Sequence, residues 1–94
     1  MGVHRESIKL AIKDDLLGWF KTVNAKEGDM LSPEWLYDVY LPTLRAKEQK
    51  AFEEAIGEMI VDGIVGYVSG RKPTYRLTKK GEESMCYPFF VVRP

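Results

Sequence analysis

The sequence predicts a single, mainly α domain that finishes in a small β-hairpin. Three observations carry that reading. Apolar residues recur at three- and four-residue steps in two long stretches, around Ile8–Val23 and Phe52–Ile60, which is the period of an amphipathic helix. The second stretch stops at Asp62-Gly63, and glycine suits the left-handed position after a helix. Two short β-prone runs follow, Val65–Val68 and Thr74–Leu77, joined by Ser69-Gly70-Arg71-Lys72-Pro73.

The first helix is expected over residues 4–23. Ile8, Ile12, Leu16, Phe20 and Val23 fall on one face, which Leu17 and Trp19 widen. Gly18 weakens this helix slightly without stopping it. Asn24–Asp29 reads as a polar loop, and Met30-Leu31 as a very short extended segment. Ser32 is a good N-cap, with Pro33 at the first helical position and Glu34 in the first turn, so a second helix is expected over 33–40. Pro42 should push Leu41 out of the α region and end it. Thr43 can then cap a third helix, 44–62, with Phe52, Ala55, Ile56, Met59 and Ile60 as its buried stripe. The hairpin occupies 65–77. Thr78 resembles an N-cap for a short last helix, Lys79–Ser84, and residues 85–94 form an apolar C-terminal segment.

Ninety-four residues, 45% of them hydrophobic, supply one core, and no apolar run approaches the length that spans a bilayer. The N-terminal residues lack the apolar centre of a secretory signal, and Glu6 breaks the myristoylation pattern. One cysteine, Cys86, excludes an internal disulfide framework and suits a reducing cytoplasm. With one Cys and one His a structural zinc site is not expected, and nothing calls for a cofactor. Catalysis has little to stand on. His4 lies near the N-terminus, Cys86 has no evident base, and the pairs Asp14-Asp15 and Glu53-Glu54 diverge on a helix. No enzyme is expected.

Formal net charge is zero, but it is unevenly spread: −2 over residues 1–44, +3 over 45–81 and −1 over 82–94. Arg71, Lys72, Arg76, Lys79 and Lys80 crowd the hairpin and its exit with no acid among them. Arg71 and Lys72 at the tip suit phosphate contacts or insertion into a minor groove; the competing reading is a solvated turn. On the third helix a face through Lys47, Lys50, Glu54 and Glu58 should be exposed. Its N-terminal half is basic, helped by Arg45 and the polar Gln49, and its C-terminal half is acidic. The competing reading here is a solvated helix laced with ion pairs, Glu54 pairing with Lys50. Trp19, Phe20, Trp35, Tyr37, Tyr40 and Phe52 sit at helical spacings and are read as core, with Trp35 and Tyr40 as candidates for partial exposure. In the tail, Tyr87, Phe89, Phe90, Val91 and Val92 make a dense apolar run that must be covered. It either packs within the chain or forms a homodimer or partner interface.

From Leu31 to Glu83 the chain resembles the winged helix-turn-helix superfamily, in the style of MarR-like and PadR-like bacterial regulators. The residues that carry the resemblance are Ala55–Val65 and Tyr75-Arg76-Leu77-Thr78-Lys79-Lys80-Gly81. The resemblance implies a three-helix core with a two- or three-stranded antiparallel wing, and a recognition helix and wing that contact double-stranded DNA. Carried over by position, the nucleic-acid candidates are Arg45, Lys47, Gln49, Lys50, Arg71 and Lys72. The expectation is therefore a small cytoplasmic DNA-binding protein, a transcriptional regulator, similar to stand-alone bacterial or phage-type domains. The alternative is a protein–protein interaction module on the same scaffold, docking through the apolar tail or the acidic half of the third helix.

Overall fold

The computed structural model describes residues 2–86, with side chains from Glu6 to Met85. The apolar run at Tyr87, Phe89, Phe90, Val91 and Val92, expected as an interface, lies outside the described residues. The chain is mainly helical with a small antiparallel hairpin. Its elements are α1 (Gly2–Thr22), a π-helix (Trp35–Tyr40) running into a 3-10 turn (Leu41–Thr43), α2 (Ala46–Val61), β1 (Val65–Val68), β2 (Thr74–Leu77) and α3 (Lys79–Cys86).

α1 ends one residue earlier than its apolar period suggests. Asn24 takes a left-handed φ of 55°. The Asn24 amide then donates to Lys21 O at 3.0 Å and the Ala25 amide to Phe20 O at 2.9 Å. This is a Schellman ending with asparagine in the position glycine usually takes. Val23 consequently sits in the turn, 48% exposed, and not on the buried face. The expected glycine stop of α2 has the same geometry. Gly63 has φ 79°, its amide donates to Ile60 O, and the Ile64 amide donates to Met59 O.

Between α1 and α2 the chain departs from expectation in one instructive way. The Ser32 hydroxyl accepts from the Trp35 amide at 3.2 Å, as an N-cap should. Leu41 nevertheless stays helical, at φ −57° and ψ −37°, with its amide donating to Leu36 O five residues back. Pro42 brings no N–H and its ring cannot sit against the carbonyl four residues earlier. The chain accommodates it by widening to π geometry before the proline and tightening to 3-10 after it. The helix therefore breaks later, at Leu44 (ψ 138°) and Arg45 (ψ 171°), both extended. α2 accordingly starts at Ala46 and not at Leu44. Thr43 is not its cap: its hydroxyl donates back to Tyr40 O at 2.6 Å. Arg45 occupies the cap position, and because guanidinium only donates, just one half of a capping box forms, Arg45 N–H to Glu48 Oε1 at 2.8 Å.

The core joins all these pieces: Ile12, Leu16 and Phe20 from α1, Leu36 and Tyr40 from the π-helix, Ala51, Phe52, Ala55, Ile56 and Met59 from α2, and Leu31, Val65 and Leu77 from the extended segments. Ile60, expected inside, is 37% exposed, while Ala51 takes a buried place. A chain of ring contacts crosses the three helices, from Phe20 to Trp19, Trp35, Tyr40 and Phe52. Trp35 and Tyr40 are stacked at 4.9 Å. Tyr40 is buried, and its hydroxyl donates to Asp15 Oδ2 at 2.8 Å.

The hairpin pairs Val65 with Leu77 and Val68 with Thr74. Residues 28–31 lie along the other edge of β2. Leu31 N–H donates to Tyr75 O at 2.8 Å, Leu77 N–H to Asp29 O at 2.9 Å, and Met30 bridges Arg76. The expected short extended segment at Met30-Leu31 is thus a rudimentary third strand. Thr78 caps α3 by accepting from the Gly81 amide at 3.0 Å, and its hydroxyl lies against Gly63 O and Ile64 O. That helix reaches Cys86, two residues past its expected end and into the stretch expected to be the apolar tail.

Candidate nucleic-acid interface

The six basic and polar candidates are all exposed: Arg45, Lys47, Gln49 and Lys50 around the first turns of α2, and Arg71 and Lys72 at the hairpin tip. Two contacts bring the tip toward the helices. The Tyr37 hydroxyl donates to Pro73 O at 2.5 Å, tying the π-helix to the turn. Lys72 Nζ lies 3.9 Å from Asp38 Oδ1, a long and solvated pair that contributes little. Gln49 is partly engaged, its amide donating to Leu44 O at 3.2 Å, which leaves its carbonyl free to accept.

The acidic half of α2 is arranged differently from what helical spacing alone suggests. Glu58 was expected on the outer face with Lys47 and Lys50. It instead turns toward α1, where Lys9 and Lys13 each reach one of its oxygens at 2.6 Å. Lys9 also meets Glu6 at 3.0 Å. Hydrogen bonds from Lys13 and Lys9 hold the Glu58 carboxyl well down, at about 2. The same pairing with Glu58, then with Glu6, raises the Lys9 ammonium. Glu58 is therefore a fastener between α1 and α2, and one negative charge of the acidic half is neutralised internally.

Glu53 faces the opposite flank of α2. With Gln49 one turn before it, it lines a groove of about 410 Å³ whose other walls are Tyr37, Leu41, Pro42, Phe52 and Tyr75. This groove runs from α2 to Tyr75 of the hairpin, and of the six candidates only Gln49 lines it. Burial pushes the Tyr75 phenol up, with smaller contributions from Tyr37, Tyr67 and Glu53. Burial likewise raises Tyr37. Helical spacing alone reads Tyr37 as core and Glu53 as one of a diverging acidic pair. Their meeting across the groove depends on the angle between the π-helix and α2, which no local pattern encodes.

Among the described residues no group of three or more His, Cys, Asp or Glu side chains could hold a metal ion, and no helix is long and apolar enough to cross a membrane. Compared with protein-family models, with curated proteins and with solved structures, the chain has no match.

Proposed function

We propose that the chain is a winged-helix DNA-binding domain, with α2 as the helix that enters or borders the major groove and the β1–β2 hairpin as the wing. The observation that carries this reading is the element order together with its third strand. A helix, a strand-like segment at residues 28–31, two helices separated by a two-residue turn, and a hairpin paired with that segment are the parts of a winged helix-turn-helix. On that scaffold Lys47 and Lys50, exposed in the first turns of α2, would face the major groove, and Arg71 and Lys72, the latter only loosely paired with Asp38, would meet phosphates. The withdrawal of Glu58 toward Lys9 and Lys13 supports the same reading, because it removes a repulsive charge from that face. Transcriptional regulation is the role such a domain would serve.

The test is a fluorescence titration with random-sequence duplex DNA at low and moderate salt. The wild type should bind in a salt-sensitive way. Arg71→Ala with Lys72→Ala should flatten the salt slope by about two counterions and weaken binding to all sequences alike. Absence of binding even at low salt would sink the reading.

A second reading has its own observation. Glu53 lines a groove whose other walls are mostly aromatic and aliphatic, and Asp38 lies beside Lys72 of the hairpin tip. A protein-interaction module would use that surface. Titration of the duplex separates the two readings.

A further inference from the structure

The groove between α2 and the hairpin has a composition that phosphate binding does not explain. Its walls are aromatic and aliphatic: Tyr37, Leu41, Phe52 and Tyr75. Tyr67 extends the aromatic surface, packing edge-on against Tyr75 with ring centroids 6.0 Å apart. On the rim stands one carboxylate, Glu53, exposed and held by no hydrogen bond or ion pair among the described residues. Tyr37 is fixed in place because its hydroxyl is committed to Pro73 O.

Phenol rings present negative faces, and cations are drawn to them at short range. A carboxylate beside such rings adds a counter-charge without a strong demand for directional hydrogen bonds. A duplex phosphate would be repelled by Glu53 and gains nothing from the rings. An anion is therefore the wrong ligand for this groove. A neutral apolar molecule would leave the carboxylate unused. We propose that the groove binds an organic cation, an alkylammonium or guanidinium head group, over the tyrosine rings with Glu53 as its counter-ion. The proposal does not rest on the DNA reading: of the nucleic-acid candidates only Gln49 lines this groove, and the titration that tests it uses the protein without duplex.

The experiment is an NMR titration of the full chain with choline, with methylguanidinium, and with 3,3-dimethylbutan-1-ol, the uncharged shape analogue of choline. Choline and methylguanidinium distinguish the alkylammonium from the guanidinium source. At least one of them should shift the Tyr37, Tyr67 and Tyr75 ring signals saturably, and the neutral alcohol should bind far more weakly. Glu53→Gln should weaken the cation by roughly fivefold, the range of a solvated charge pair. Glu53 is exposed, so this variant keeps its fold, and unchanged core amides verify that. Failure of both cations to saturate, equal binding of the alcohol, or undiminished binding by Glu53→Gln would each overturn the proposal.

Discussion

Gly81 offers the sharpest test of how the hairpin is locked to the helices. It lies in α3 in the segment Thr78-Lys79-Lys80-Gly81, packed against the turn that follows α2. A Cβ at Gly81 would stand 2.2 Å from Ile64 O and 2.7 Å from Leu77 Cδ1. A carbon normally stays about 3.3 Å from a carbonyl oxygen, so the helix or the turn must shift by roughly 1 Å. Neither can shift freely. Ile64 O accepts from Thr78 N at 3.1 Å and faces the Thr78 hydroxyl at 2.9 Å, and Leu77 is fully buried. Losing two such hydrogen bonds costs about 1–3 kcal/mol and overpacking about 1–3 kcal/mol more. The better helix propensity of alanine returns about 1 kcal/mol. Gly81→Ala should therefore destabilise by about 1–5 kcal/mol, and a mid-range loss of about 3 kcal/mol lowers the urea midpoint by about 1–3 M with an unchanged slope. Gly57→Ala is the internal control. The same substitution in α2 meets nothing within 4 Å, so it should stabilise by about 0.5–1 kcal/mol. If Gly81→Ala matches or exceeds wild type in urea, the close approach of α3 to Ile64 is wrong.

Three further outcomes follow from the same contacts. Glu58 is held at about 2 against an ordinary 4.5, so its pairing with Lys9 and Lys13 stabilises the fold above pH 4.5 and is lost as pH falls toward 2. Glu58→Gln should be less stable than wild type at neutral pH, and urea midpoints of the two should converge in acid; a constant gap would contradict the pairing. Tyr40→Phe removes the bond to Asp15 and should cost about 1 kcal/mol by denaturant melt, with no loss of packing volume. Gly63→Ala forces a side chain into φ 79° and should cost about 1 kcal/mol or more, whereas Asn24→Gly, at φ 55°, should be neutral or better in the same assay.

Features set by local chemistry were the legible ones. Ser32, Thr78 and Gly63 act at element ends through bonds to their own neighbours, and each occupies the position its residue type suggests. Asn24 does what Gly63 does, but asparagine is common in plain loops, so its ending of α1 did not stand out. Pro42 misleads because its effect is absorbed by the π-helix, held by buried Leu36 and Tyr40, and by the 3-10 turn that follows. The candidate site was legible only as exposure. Helical spacing placed Lys47 and Lys50 outside, yet it placed Glu58 there too, and only the packing of α1 on α2 turns that carboxylate inward. The groove around Glu53 joins residues from positions 37 to 75, and the need for glycine at 81 arises from a carbonyl at 64. Both are products of tertiary geometry.

The most direct measurement of the proposed DNA role is amide-shift mapping by NMR as random duplex is added at low salt. Shifts should cluster at residues 45–50 of the α2 start and at 69–72 of the hairpin tip, and should shrink together as salt is raised. The amides of α1 around Lys9 and Lys13 should stay in place. Perturbation confined to α1, or to neither group of basic residues, would contradict a winged-helix mode of DNA binding.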